Sequence, residues 1–352
     1  MKLALISFTQ HGSRLNEMVS RALSLQGYDC DSYAMKKYAP AYGLKILEEP
    51  LKEWTGKMFR EMDAILFIGA TGIAVRSIAP FVQSKTKDPA IVVMDEKGVF
   101  AISLMSGHLG GANELTGVLA NLTGAIPVIT TATDVNGKFA VDVFARKNGL
   151  YISNMKYAKE ISADVLDEKK IGFYTDYPVI GRIPEELEIW EENQVFEGTN
   201  GICVSVYENK EPYKQTLHLI PRILTVGVGC KKGTPADRIR EKIQKVLTEN
   251  HISEKSISRI ASIDLKAEEK GLIETAKELN VEFLTYTSEE LKKVKGDFTE
   301  SAFVASVTGV SNVCERSAVL GSNYGVLICP KNAGDGVTVA LALQEYMIDF
   351  TI

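Results

Sequence analysis

Apolar positions along the chain fall into short unbroken runs, each followed by a stretch with helical spacing. Leu3 to Phe8 is the first run, short enough for a buried strand. The loop Thr9-Gln10-His11-Gly12 follows. Leu15, Met18, Val19, Ala22 and Leu23 then mark one face of a helix, with Ser13 as its cap and Gly27 as its stop. The unit recurs. Ala64 to Ile68 predicts a strand, GATG (Gly69 to Gly72) a tight loop, and Ile73 to Ile78 a short helix ended by Pro80. Ile91 to Met94 predicts another strand. Asp95-Glu96-Lys97-Gly98 has hairpin character, so Val99 to Leu104 can return beside it. The stretch SGHLGG (Ser106 to Gly111) comes next, then a helix from about Ala112 to Leu122 and a strand at Val128 to Thr130.

The pattern weakens between Asn136 and Arg222. A helix near Met155 to Leu166 and strands at Ile171 to Tyr174 and Ile202 to Val206 are readable there. The acidic run Pro184 to Glu188 reads as solvated surface. The alternation resumes at Leu224 with a strand to Val228, the loop Gly229-Cys230-Lys231-Lys232-Gly233-Thr234, and a helix to about Leu247. Pro235 suits that helix's first turn and Thr234 its cap. A strand–helix pair over Ile257 to Leu279, a strand at Val281 to Tyr286, a helix at Ser311 to Leu320, a buried strand at Val326 to Cys329 and a helix at Val337 to Tyr346 complete the expectation.

Alternating strands and helices predict an α/β protein of several domains: parallel-rich α/β sandwiches at 1–135 and 223–352, with a smaller middle α/β domain at 136–222. In parallel sheets ligands gather beyond the carboxyl ends of the strands. The loops at Thr9, Gly69 and Ser106 each follow a strand, which predicts one shared rim.

Composition narrows the function classes. The 352 residues carry a formal net charge of −5, which speaks against a duplex-DNA partner. No run reaches the roughly 18 apolar residues of a membrane span, and the N-terminus reads as a buried strand, not a signal peptide. The five cysteines, Cys30, Cys203, Cys230, Cys314 and Cys329, are scattered and odd in number, as expected of a reduced cytoplasmic chain. No Cys or His pair has the spacing of a zinc site.

Four glycine-bearing loops could carry chemistry: GATG, SGHLGG, GVGCKKGT and KNAGDG. Glycine lets backbone amides approach a ligand, and a following helix N-terminus favours anions. None matches a nucleotide fingerprint, and the plain reading of any one alone is a tight strand–helix turn. His108 is more specific. Flanked by glycines, it reads as exposed, and its imidazole can serve as base or acid near neutrality. Glu114 could orient it, although an acidic residue in a first helical turn is favourable with no catalytic role. Arg76 could clamp a carboxylate, or be surface. Cys230 precedes a helix start and two lysines, a setting that lowers a thiol pKa, but the absence of a nearby histidine favours a small packed residue. Lys231 and Lys232 are placed as anion contacts. Arg316 could pair with Glu315 or face a ligand, His11 is a secondary candidate, and Asp335 reads as a turn residue.

Taken together, the motifs are no longer generic. The segment from FIGATGIAVRS through LMSGHLGGANEL to PVITTATD resembles the N-terminal part of the cobalt-precorrin-5A hydrolase family of anaerobic cobalamin biosynthesis. LTVGVGCKKGTPADRI, TGVSNVCERSAVLGS and ICPKNAGDGVTVALA resemble its C-terminal part. The middle region fits by position more than by motif.

The resemblance implies a specific reaction. Water opens the δ-lactone of a methylated, cobalt-bound tetrapyrrole, and a two-carbon fragment leaves as acetaldehyde to give cobalt-precorrin-5B. Cobalt arrives within the substrate, so no separate cofactor or protein metal site is expected. The proposed roles are His108 as base, Glu114 as a second proton carrier, and amides around Gly110 to Asn113 as oxyanion donors. Gly69, Thr71, Gly72, Arg76, Ser106, Gly107, Gly110, Gly111, Asn113, Gly229, Lys231, Lys232 and Thr234 are expected to hold the substrate. The implied partners are this small molecule and water, with no nucleic acid and no membrane. A homodimer and handover to other pathway enzymes stay open, as does a non-catalytic tetrapyrrole carrier. A nucleotide-binding regulator lacks its fingerprint.

Overall fold

The computed structural model describes residues 1–84, 87–190 and 198–351. Packing divides the chain into two compact units, Met1–Val143 and Phe144–Ile352.

The first unit starts with β1 (Lys2–Ser7), α1 (Gln10–Leu25), β2 (Asp29–Ala34), β3 (Lys45–Ile46), α2 (Leu51–Glu61) and β4 (Ala64–Ile68). It continues with α3 (Thr71–Ile78), β5 (Ala90–Met94), β6 (Phe100–Met105), α4 (Ala112–Thr123), β7 (Ile126–Val128) and α5 (Ala132–Val135). Among the described residues the strands make one seven-stranded sheet in the order β3-β2-β1-β4-β5-β6-β7. The unbroken apolar runs of β4 and β5 are explained by helices on both faces. Leu3, Leu5, Leu66 and Val92 join one core with Val19, Leu23 and Leu119. The alternate residues Ala4, Ile6, Ile65, Phe67 and Ile91 join a second core with Trp54 and Met58. The cap of α1 is Thr9, whose side chain accepts from the Gly12 amide, and not Ser13. Ser13 is buried, with its hydroxyl donating to the Thr9 carbonyl.

One feature of this sheet overturns the shared rim. β5 runs parallel to β4, but β6 returns antiparallel, with Ile91 opposite Met105 and Met94 opposite Ala101. The loops after β1 and β4 therefore lie at one edge of the sheet and the loop after β6 at the other. The offset from Gly69 to Ser106 is about five residues of strand, roughly 17 Å. The Asp95–Gly98 turn causes the reversal.

The chain crosses into the second unit through α6 (Val141–Lys147), followed by β8 (Leu150–Ile152), α7 (Met155–Leu166), β9 (Ile171–Thr175), β10 (Val179–Ile180), β11 (Leu187–Ile189), β12 (Asn200–Val204) and β13 (Gln215–Pro221). Then come β14 (Leu224–Cys230), α8 (Ala236–Glu249), β15 (Ile257–Ile263), α9 (Lys270–Leu279), β16 (Glu282–Tyr286) and α10 (Ser288–Lys293). The last elements are α11 (Ala302–Thr308), α12 (Cys314–Gly321), β17 (Val326–Gly334), β18 (Val337–Leu343) and β19 (Ile348–Asp349). Two five-stranded sheets result among the described residues, β11-β9-β12-β13-β8 and β16-β15-β14-β18-β17. Val206, just past β12, and Ile223, just past β13, pack into the core of the second sheet with Val226, Ile252 and Ile257.

The helix expected at Val337 to Tyr346 is instead β18, paired antiparallel with both β14 and β17. Its sequence VTVALAL opens on three β-branched residues and lies between two partners, so a near-continuous apolar run reports a central strand. The Asp335-Gly336 pair before it has positive φ at both residues, 52° and 80°, which is the backbone of a tight hairpin turn.

Candidate active site

The site grows from the loop after β6. Ser106 ends the strand with φ 57°, a left-handed conformation that is uncommon for serine. Its hydroxyl is buried and has no hydrogen-bond partner among the described residues. The next residues fold back tightly. The Gly111, Ala112 and Asn113 amides donate to the carbonyls of His108, Ser106 and Gly107 at 3.0, 3.1 and 3.0 Å. Three of the amides expected to serve an oxyanion are thus spent inside the loop. The Gly110 amide is the one in this stretch left without a protein acceptor among the described residues.

The glycines serve the loop's own packing. A Cβ on Gly107 would sit 2.7 Å from Asn113 Oδ1, and one on Gly110 would sit 2.4 Å from Ser106 Cβ. Gly111 takes φ 87° to start α4.

This fold presents His108 to two carboxylates. Its Nε2 lies 2.5 Å from Asp134 Oδ2 and its Nδ1 lies 3.2 Å from Asp142 Oδ1. Thr133 Oγ1 is 3.2 Å from Nε2. The imidazole is largely buried, its side chain 13% exposed, against the expectation of an open ring. Hydrogen bonding to Asp142, and then to Asp134, raises its pKa above the ordinary histidine value despite a desolvation penalty. A carboxylate at each nitrogen favours the imidazolium form of the ring. Of the two acids Asp134 is the more open, at 34% side-chain exposure against 12% for Asp142.

Asn113 completes the cluster. Its amide nitrogen donates to Asp134 Oδ2 at 3.0 Å and to Thr131 Oγ1 at 3.1 Å, and its oxygen accepts from Ser103 Oγ at 2.6 Å. β7 runs parallel to β6, so the residues after it arrive at the same sheet edge as His108. Asp134 and Asp142, the carboxylates that meet His108, are not singled out by sequence reasoning. The TTATD ending of the N-terminal resemblance contains the first. Asp142 lies within the expected middle domain but packs in the first unit.

The other candidates separate. Glu114 is exposed in the first turn of α4, and its charge acts on the Tyr28 phenol; the carboxylates on His108 are Asp134 and Asp142. Gly69, Thr71, Gly72 and Arg76 lie at the opposite sheet edge, with Arg76 folded over Gly72. His11 is exposed at that same edge. Gly229, Lys231, Lys232 and Thr234 line a cavity of about 1180 Å³ in the second unit. There Pro235, not Thr234, caps α8, and the Thr234 hydroxyl donates to the Lys231 carbonyl at 2.8 Å. Burial pushes the Cys230 thiol up, not down. Arg316 is structural: it donates to the carbonyls of Leu291 and Val294 and stacks on Phe298. Among the described residues no helix is long and apolar enough to cross a membrane.

Fold and site together define an α/β protein with a carboxylate-clamped histidine suited to proton transfer. Comparison with known proteins agrees along the whole chain. Residues 53–134 match the model described as cobalamin synthesis G N-terminal, 139–221 the cobalamin biosynthesis central region, and 224–342 the cobalamin synthesis G C-terminus. The chain is 33% identical over 351 residues to cobalt-precorrin-5A hydrolase of Salmonella typhimurium, covering 97% of this chain and 98% of that one. It is 30% identical over 364 residues to the Priestia megaterium enzyme of the same name, covering 97% and 95%. A solved structure of a putative cobalamin biosynthesis protein G homolog from Sulfolobus solfataricus is 25% identical over 97% of both chains, with a TM-score of 0.43. The chain belongs to the cobalt-precorrin-5A hydrolase family.

Proposed function

We propose that this protein is a cobalt-precorrin-5A hydrolase whose proton chemistry is carried by His108 with Asp134 and Asp142. Water opens the δ-lactone of a cobalt-bearing tetrapyrrole, and the former meso carbon leaves with its methyl group as acetaldehyde. Cobalt enters as part of the substrate. All five cysteines are free thiols, which supports work in a reducing cytoplasm.

The observation that carries the site is the imidazole between two carboxylates. It supports a division of labour different from a simple histidine base. The imidazolium donates a proton to the alkoxide that departs as the ester opens. Asp134, the more exposed carboxylate, takes a proton from the attacking water. Asp142 holds the ring and its charge. The Gly110 amide, without a protein acceptor among the described residues, is the donor in this loop left for a substrate oxygen. The subsequent loss of acetaldehyde needs a proton removed from a hydroxyl and one returned to the ring, and the same His–Asp pair serves both.

The test is acetaldehyde release on supplying the lactone substrate, with and without protein. His108→Ala should stop release while leaving substrate binding largely intact, a loss of about 10²–10⁴-fold. Release at the wild-type rate would remove His108 from the mechanism.

A further inference from the structure

The second unit contains the cavity noted above, larger than the roughly 300–1,000 Å³ of ordinary small-molecule sites. We infer that it is a binding site in its own right for a flat macrocycle edged with carboxylates. The inference rests on the proposed reading only for the identity of the ring.

Three observations converge. Lys231, Lys232, Lys270 and Lys331 all line the cavity, and among the described residues none of their ammonium groups has an ion-pair partner. Lys266 is spent on Glu269 at 2.9 Å, and Glu269 is further fixed by the Gly233 amide at 2.8 Å. The remaining acids are Glu268, Glu274 and Asp335, so the lining is mixed in charge with a cationic excess. Second, large apolar side chains stand open at the same cavity: Leu265 is 66% exposed and Val307 61%. An anion alone would leave them wet, whereas a flat apolar ring would cover them.

Third, the wall is built from behind. Glu315 is fully buried, and its carboxylate accepts from the Thr299 amide and hydroxyl and from the Lys331 amide at 2.8, 2.8 and 2.6 Å. Asn312, itself in the cavity lining, binds the Thr299 carbonyl and the Glu315 amide. A buried carboxylate with no ion-pair partner among the described residues fixes the strand that carries Lys331. Ammonium groups on a fixed frame, beside exposed apolar side chains, match a rigid ring with acidic side chains better than a flexible or a purely anionic ligand.

The experiment is titration of the full-length protein with uroporphyrin I, an octacarboxylate macrocycle, followed by its absorbance and fluorescence. The octamethyl ester of the same ring is the control. Lys231→Glu/Lys232→Glu should weaken binding by about tenfold or more, and the difference should shrink at high salt. Leu265→Asp/Val307→Asp should weaken it comparably at all salt concentrations. These four side chains are at the surface, and unchanged melting temperatures will show that both variants fold. His108→Ala should bind within about twofold of wild type. Equal affinity for acid and ester, or unchanged affinity in both double variants, overturns the inference. Loss in the lysine variant alone reduces the cavity to a simple anion site and also overturns it. A His108→Ala variant that binds tenfold more weakly removes the claim of an independent site. Acetaldehyde release separates the two readings. If wild type binds the ring in this cavity but releases no acetaldehyde, the proposed reaction fails and the site stands. If release depends on His108 while the cavity variants bind normally, the reverse holds.

Discussion

His108 has a carboxylate on each ring nitrogen, and this fixes how its charge responds to pH. Its pKa is raised in the folded state, chiefly by Asp142. The corresponding stability is fully present below the unfolded histidine value, about 6.5, and is lost as pH rises through the raised value. Thermal melts of the wild type should therefore soften on that alkaline side, and His108→Gln should flatten the dependence. Activity that uses the imidazolium should decline over the same interval. In Asp142→Asn the decline should move to lower pH, because the main group holding the proton is gone; kcat should fall about tenfold at neutrality with KM nearly unchanged. A pH profile that does not move would assign Asp142 a purely structural role. Asp134→Asn should cost more, about 10²–10⁴-fold, because it removes the proposed acceptor itself.

At the scale of elements, the turn between β6 and α4 depends on close approach. Gly107→Ala would press a methyl group against Asn113, which holds Asp134. An expected loss of about 1–3 kcal/mol should appear as a lower melting temperature together with reduced activity. Much of this level was legible in the chain. The run Ala64–Ile68 gives β4, and the helical spacing after Met155 gives α7, capped by Asn154. Other elements were not. β18 is apolar along its length, which periodicity alone does not distinguish from a buried helix; the Asp-Gly turn before it is the local clue. The position of His108 depended on strand direction. A hairpin is readable at Asp95–Gly98, but its consequence, that the Ser106 loop emerges at the far edge from Gly69, is a property of the sheet. Asp134 and Asp142 escaped notice for a related reason. They sit 26 and 34 positions beyond His108 and meet it only because β7 runs alongside β6.

At the scale of the whole chain, the second unit is tied together in ways that cut across sequence order. Val206 and Ile223, which flank strands of the 150–221 sheet, pack in the core built on β14 and β15. β10 pairs with β19, Val179 opposite Ile348. Asn148 binds the Asp349 backbone in both directions, at 3.0 and 2.8 Å. Truncation after Arg222 should consequently do more than remove one sheet. Residues 144–222 should lose cooperative unfolding, read by calorimetry, while residues 144–352 produced alone should keep a single sharp transition. A fragment ending at Arg222 with an intact second transition would contradict this.

The stacking of Phe350 on Phe144, with centroids 4.8 Å apart, brings a consequence for synthesis. A ribosome making this chain must translate some two hundred further codons before the first ring meets its mate. Until then residues 144–222 wait half-assembled, their greasy patches open to chaperones, while β1 to β7 already have every strand they need.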